Sequence, residues 1–247
     1  MGRQPKFSII TITYNAATVI EPTLQSVLAQ TYTSYEYLLI DGGSKDDTVA
    51  KAKASGIEFA QIVSEPDNGL YDAMNKGMAL ATGDYLCFLN AGDAFYAPDT
   101  LQTIANAAMA EETLPDVLYG ETAEVDEARN FVRMRRLQAP EHLTWRSFKS
   151  GMMVCHQAFY AKRKIAPMYD LKYRLSSDVD WCIKVMKQSK KLVNVNSIVV
   201  NYLQNGLSLQ HHRASLKERF WIMSKHYGLL PTIARHLWFV VRAMIKR

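Results

Sequence analysis

Cysteine is scarce in this chain of 247 residues: Cys87, Cys155 and Cys182 are the only three, far apart and never in a C-x-x-C pair. An odd, unclustered set excludes a disulfide framework and a zinc knuckle, and it reads as three small buried hydrophobes. Long apolar runs are missing too. No uncharged apolar stretch reaches the roughly eighteen residues a membrane-crossing helix needs, and Met1-Gly2-Arg3-Gln4-Pro5 leads into a strand-like segment without the apolar core of a signal peptide. A cytoplasmic protein is expected. Thr13-Tyr14-Asn15-Ala16-Ala17 after the first apolar segment lacks the G-x-G-x-x-G that a dinucleotide oxidoreductase requires there. The charge surplus is only +5, and Arg133, Arg135, Arg136 and the Lys162-Arg163-Lys164 run are scattered, so no nucleic-acid partner is expected.

What is present is a large apolar share, 48% of residues, enough for one sizeable α/β core. Phe7 to Thr13 reads as a strand. Thr18-Val19-Ile20-Glu21 has the capping-box pattern of a helix start, with Ile20, Leu24, Val27 and Leu28 on one face. Further strands are expected at Tyr37 to Ile40, Phe59 to Val63 and Tyr85 to Leu89. Helices are expected from Asp47-Thr48 to near Gly56 and through Tyr71, Met74 and Met78 to Ala81, closed by Gly83. Such alternation predicts a mostly parallel sheet flanked by helices, with ligands beyond the C-terminal strand ends. The polar clusters fall there: Thr13-Tyr14-Asn15, Asp41 to Ser44, Glu65 to Gly69, and Asn90 to Asp93. The second half is less regular, with strands expected at Val117 to Tyr119, Phe131 to Arg135 and Gln157 to Tyr160, and a helix from Asp178 to Lys187. No repeat or linker separates the halves, so residues 1–208 are read as one domain and residues 209–247 as a C-terminal helical tail.

An enzyme acting on a nucleotide diphosphate sugar needs polar contacts for the base, neutralisation of the leaving diphosphate, and a general base for the attacking hydroxyl. Asp41 is placed to accept from a ring N–H of uracil, with Thr13, Tyr14 and Asn15 in the same pocket. Asn90-Ala91-Gly92-Asp93 emerges from an apolar strand with one carboxylate, a place for a divalent cation held by oxygen ligands. Asp178 and Asp180 stand two apart at a helix start, so they face different ways and only one can be the base.

With these residues in view, the chain resembles glycosyltransferase family 2. The likeness rests on Ser8-Ile9-Ile10-Thr11-Ile12-Thr13-Tyr14-Asn15, on Asp41-Gly42-Gly43-Ser44-Lys45-Asp46-Asp47-Thr48 and on Asn90-Ala91-Gly92-Asp93. Ser64-Glu65-Pro66-Asp67-Asn68-Gly69-Leu70-Tyr71-Asp72-Ala73-Met74-Asn75-Lys76-Gly77, followed by Ser176-Ser177-Asp178, further resembles the subgroup with colanic-acid, capsule and O-antigen transferases. The resemblance implies a GT-A fold, an inverting single displacement, and a donor side formed by Thr13, Tyr14, Asn15 and Asp41, extended by Glu65, Asp67, Asn75, Asn90, Ala91 and Gly92. It also implies Mg²⁺ or Mn²⁺ near Asp93 and a base at Asp178, with Asp180 in reserve. The family's usual acidic stretch is depleted here, because Asn90 and Gly92 stand at two acidic positions. A non-catalytic nucleotide-sugar binder or scaffold of the same fold is therefore the alternative reading.

On the acceptor side His156, Asp180 and Trp181 are candidates, Trp181 as a stacking surface for a sugar. His211 and His212 are candidates for a late metal ligand. In the tail, Ile233, Leu237, Val240, Val241 and Met244 recur at helical spacing among Arg235, His236, Arg242, Lys246 and Arg247. Such a helix suits an anionic membrane surface or packing onto the domain. A polyprenyl-diphosphate-linked or glycan acceptor, met at the inner face of the cytoplasmic membrane, is what the resemblance implies.

Overall fold

The computed structural model describes residues 3–204 and 212–245, with the side chains of 212 and 240–245 left undescribed. His211, the side chain of His212 and the apolar and basic tail positions from Val240 onward therefore lie outside the described side chains.

The first strand, β1 (Phe7–Thr13), is buried along its whole length, as its β-branched sequence FSIITIT requires of a central strand. It pairs in parallel with β2 (Tyr35–Asp41) on one side and β4 (Tyr85–Phe88) on the other, while β2 pairs in parallel with β3 (Gln61–Ser64). Thr13 stands opposite Asp41, and Asp41 opposite Ser64, so the polar ends of three strands share one level. Helices α1 (Ile20–Leu28), α2 (Thr48–Ala54) and α3 (Leu70–Leu80) make the crossovers. Helix α3 approaches the sheet closely because Gly77 has no side chain: a β-carbon there would stand 2.5 Å from Ile10 Cγ2.

Beyond β4 the sheet becomes mixed. The order is β3-β2-β1-β4-β8-β6-β9-β5, with β7 (Phe131–Met134) on β6. Strand β8 (Phe159–Lys162) lies antiparallel to β4 and to β6 (Val117–Val125). Strand β9 (Leu192–Leu203) runs parallel to β6 and antiparallel to the short β5 (Ala94–Phe95). The expected parallel half and flanking helices are thus present, joined to a mixed half. Strand β9 and α4 (Thr100–Met109) have no counterpart in the sequence reading. In β9 the alternation is broken at Asn194 to Ser197, where Asn196 takes a φ of 54° and the register on β6 shifts. Gly120 allows that crossing, since a β-carbon would meet the Ser197 carbonyl at 2.8 Å.

Several local expectations need correction. The capping box at Thr18 does not form. Helix α1 starts at Ile20, and the N–H groups of Val19 and Ile20 both donate to the Ala16 carbonyl. Leu28 is exposed. Gly83 does not close α3 in a left-handed conformation; a β-carbon there would clash with the Lys6 carbonyl at 2.8 Å, so its role is close approach. The strand expected from Gln157 begins at Phe159, after a 3-10 turn over His156–Ala158. All three cysteines are buried and free, as expected.

Helix α5 (Ser177–Gln188) carries Asp178 and Asp180 on different faces. Ser176 occupies the N-cap position, but neither serine caps through its side chain: Ser177 Oγ donates to the Asp170 carbonyl, and Ser176 Oγ meets Ser215 Oγ. Helix α6 (His212–Tyr227) packs on α5 and is followed by α7 (Leu229–Ile245) after Gly228, whose φ of 93° turns the chain. Asp180 joins α5 to α6. Its fully buried carboxylate meets Lys184 Nζ at 2.5 Å, His226 Nε2 at 2.7 Å and Lys225 Nζ at 3.2 Å. Burial pushes this carboxyl up, but the His226 hydrogen bond and the lysine charges outweigh it and hold it well below the usual range.

Because the folded-state value is lowered, the stability this cluster supplies is complete above the ordinary carboxylate range and is lost as pH falls further toward the lowered value. Asp180→Asn is expected to lower stability by about 3 kcal/mol at neutral pH, since it strands cations around a buried position. Thermal denaturation at neutral and acid pH checks this; the deficit should shrink on acidification.

Candidate active site

The loops after β1 and β2 are tied to each other before they present anything outward. Asn15, held at φ 46°, donates its N–H to Ser44 Oγ at 2.8 Å and accepts from Lys45 N–H through its side-chain oxygen at 2.9 Å. Ala16 N–H reaches Thr48 Oγ1 at 2.8 Å, and Gly42 N–H reaches the Thr13 carbonyl at 2.9 Å. Asp41, expected to face a uracil, is instead buried inside this knot. Its carboxylate accepts from Gly43 and Ser44 N–H, from Ser44 Oγ and from Ser64 Oγ at 2.6 Å. It holds the Gly42-Gly43-Ser44 turn in shape.

The open surface of this corner belongs to other groups. Tyr14 is 63% exposed. Gly42 lies between it and Asp67, since a β-carbon at Gly42 would stand 2.5 Å from Asp67 Oδ2 and 3.3 Å from Tyr14 Cδ2. Asp67 Oδ1 takes Gly69 N–H at 2.8 Å, leaving Oδ2 on the Gly42 side. Thr13 Oγ1 is buried without a partner. Glu65 pairs with Lys76 Nζ at 2.8 Å, and that ammonium also donates to the Pro66 carbonyl, so Lys76 folds along the third loop. Asn75, a donor-side candidate, is a clamp: its amide donates to the Tyr169 carbonyl at 3.1 Å and accepts from Tyr169 N–H at 2.7 Å.

After β4, Ala91 N–H donates to the Ile12 carbonyl at 3.1 Å and fixes the loop to β1. Gly92 has φ 102°, and its N–H meets Thr23 Oγ1. A left-handed position explains glycine where an acidic residue was looked for. Asp93 is buried and accepts from Gln157 Nε2 at 2.7 Å and Leu203 N–H at 3.1 Å. Burial raises its carboxyl to about 6, against the opposing pull of these donors and of the His156 and Arg129 charges. The Arg129 guanidinium donates to the carbonyls of Gly92 and Val19.

Three of the expected residues lie together at the front of α5. Asp178 Oδ1 accepts from the Tyr71 hydroxyl at 3.0 Å, and Oδ2 is 3.4 Å from His156 Nδ1. His156 Nε2 lies 3.4 Å from the Asn90 amide nitrogen, so a proton on Nδ1 satisfies both contacts. Burial would raise the Asp178 carboxyl, yet His156, Arg219 and Tyr71 together hold it below its ordinary value. Asp178 is nearly buried, at 8% exposed. Asp180 and Trp181 are not part of this group. Asp180 faces α6, and Trp181 is buried, stacked on Tyr169 at 5.0 Å with Phe88 and Phe159 edge-on. As acceptor-side candidates both are corrected to packing roles. Among the described residues no three His, Cys, Asp or Glu side chains gather as a metal site.

The sequence reading missed Tyr71, Arg129, Gln157 and Arg219 as site neighbours. Tyr71 lies inside the quoted Ser64 to Gly77 motif and could have been found there. The others reach the site only through the fold.

A parallel βαβ half ending in polar loops, joined to a mixed half, is the architecture of GT-A glycosyltransferases. The glycosyl transferase family 2 model matches residues 8–166, and the chain belongs to that family. A PGL/p-HBAD biosynthesis glycosyltransferase of Mycobacterium tuberculosis is 36% identical over 203 residues, covering 79% of this chain and 75% of that protein. The amylovoran biosynthesis glycosyltransferase AmsB of Erwinia amylovora is 27% identical over 231 residues, covering 87% and 76%. Among solved structures, Staphylococcus aureus TarS 1-349 in complex with UDP-GlcNAc aligns with TM-score 0.71 at 15% identity over 95% of this chain and 73% of that one. The mannosyltransferase PcManGT from Pyrobaculum calidifontis, in complex with GDP-Man and Mn²⁺, aligns with TM-score 0.63 at 17% identity over 94% and 74%. These two show the fold.

Tyr71→Phe keeps the ring stacked on Tyr169, 5.3 Å away, and removes only the hydroxyl. The Asp178 titration midpoint, followed by carboxyl carbon NMR, is expected to move upward; an unchanged midpoint would show that the hydroxyl does not stabilise the anion.

Proposed function

We propose that the chain transfers one sugar, with inversion, from a nucleotide diphosphate sugar, UDP being the nucleotide, to a hydroxyl of a polyprenyl-diphosphate-linked or glycan acceptor in surface polysaccharide assembly. The observation that carries this reading is the Asp178 carboxylate, held by Tyr71 and His156 beside the loop after β4. In the reaction Asp178 takes the proton of the acceptor hydroxyl as its oxygen attacks the anomeric carbon from the face opposite the diphosphate. The C1–O bond to the diphosphate breaks as the new glycosidic bond forms. The tyrosine and histidine keep one carboxylate orientation.

The exposed Tyr14 ring and Asp67 Oδ2, which lies close against Gly42, are the groups assigned to meet the base, with Asp67 in the accepting role first given to Asp41. A divalent cation fits the strand end through the Asp93 carboxylate and the buried, unpartnered Asn90 Oδ1, because a cation bound with a diphosphate takes much of its oxygen shell from the phosphates. Mg²⁺ or Mn²⁺ bound there would offset the charge of the leaving diphosphate. A lipid-linked acceptor would bring the protein to the inner face of the cytoplasmic membrane; among the described residues no helix is long and apolar enough to cross one.

Nucleotide release from a panel of UDP-, GDP- and dTDP-sugars, with and without cation, tests the reading. Asp178→Asn is expected to slow transfer by about a hundredfold or more while donor affinity stays near wild type. Wild-type rates in that variant would sink the assignment, and donor binding with no turnover in the parent protein would favour a non-catalytic binder. The raised carboxyl of Asp93 gives a pH signature. Its anion is lost below about 6, so cation affinity is expected to weaken steadily as pH falls through that value and to level off above it. Titration of Mn²⁺ binding across that range checks it.

A further inference from the structure

The geometry points to a second binding site: a groove of about 490 Å³ between the 3-10 turn Trp145–Ser150 and the α6–α7 hairpin, which seats the anionic headgroups of a phospholipid bilayer. This deepens the membrane-linked acceptor of the proposed function by naming the surface that meets the lipid. The groove has a polar and an apolar wall. Lys149 and Arg235 supply the charge, and Met223, Tyr227, Pro231 and Trp238 supply the apolar lining.

The two cations have no anion of their own. Among the described contacts, Lys149 sits over the Tyr227 ring at 5.5 Å and Arg235 reaches only Ser150 Oγ at 3.4 Å; neither meets a carboxylate. No acidic residue lines the groove. From Arg219 to the end of the chain there is no Asp or Glu; Lys225 is taken up by Asp180 and Arg219 acts on Asp178, while Arg235, Arg242, Lys246 and Arg247 add positive charge to this segment. Such a segment complements a negative surface and would repel a second copy of itself.

Next to the groove on α7 runs a stripe of exposed apolar side chains among the described residues. Leu230 is 78% exposed, Ile233 39% and Leu237 63%, positions that share one helical face. Trp238, 55% exposed, lies where stripe and groove meet. The rival expectation, that this face packs on the domain, is not met by its described side chains. An exposed apolar stripe beside unpaired cations and a tryptophan matches a helix lying in a bilayer interface. The wall is also rigid, since Tyr227 stacks on Trp145 at 5.5 Å and donates its hydroxyl to the Trp145 carbonyl. Helix α6 links groove and site: Arg219, which acts on Asp178, precedes Tyr227 by about 12 Å of helix.

The test is flotation of the purified full chain with vesicles of phosphatidylcholine alone or with phosphatidylglycerol added. Binding is expected only with phosphatidylglycerol and should fall as salt rises. Lys149→Glu with Arg235→Glu is expected to lower the bound fraction at least twentyfold, about fivefold for each cation removed. Leu230→Ser with Leu237→Ser should lower it as well. Leu230, Arg235 and Leu237 are exposed and Lys149 is half-buried at the groove, away from the candidate active site, so donor hydrolysis in solution is expected to be unchanged, which confirms folding. Equal binding to both vesicle types, full binding by the charge-reversed variant, or a concentration-dependent dimer with no vesicle binding would overturn the proposal. Vesicle binding is read without donor or acceptor, so it can fail while transfer stands, and the reverse.

Discussion

Everything at the site depends on the register of three parallel strands. Thr13, Asp41 and Ser64 stand abreast at the C-terminal ends of β1, β2 and β3, so the loops that follow leave the sheet at one level. Parallel pairing sends each connection back across a helix and brings the next loop to the same edge. Asp41 turns that alignment into a rigid corner, because a buried carboxylate with four donors fixes the turn after β2 and grips β3 through Ser64. A free carboxylate at that depth would be costly to bury, and a fully bonded one is a structural part.

The second half of the chain completes the site by lending groups to that edge. Gln157 and Leu203 hold Asp93, Arg129 crosses to the Gly92 and Val19 carbonyls, and His156 bridges Asn90 and Asp178. Two aspartates on one helix take opposite roles through geometry alone. Asp178 faces the loops with a tyrosine and a histidine, while Asp180, on another face of α5, is surrounded by lysines and a histidine from its own helix and α6. The helix that carries Asp178 is thereby anchored from behind, and the same anchor carries α6 toward the apolar and basic surface of α7.

Much of this was legible in the residues themselves. The buried run Phe7 to Thr13, the alternation of apolar and helical segments, and the turn residues after each strand are local signals, and they located the four strand-end clusters. The offset of Asp178 from Asp180 required only helical periodicity. Strand β9 was not legible, because Asn194, Asn196 and Ser197 break its alternation and it is held in the sheet by its partners β6 and β5. Trp181 was not legible either; a tryptophan beside an acid reads equally as a sugar platform or as core, and only the rings of Tyr169, Phe88 and Phe159 decide.

The sequence by itself thus determined the order of elements in the parallel half, the family and the edge of the sheet where polar groups collect, because those follow from neighbours in the chain. The tertiary structure decided which polar groups were free. Asp41 and Asn75 were bound internally, Tyr14 remained exposed, and Asp178 was placed between Tyr71 and His156, since hydrogen-bond partners distant in sequence are chosen only when the chain is folded. The same holds for α7: its apolar pattern was readable, but whether that face was covered depended on what packed beside it.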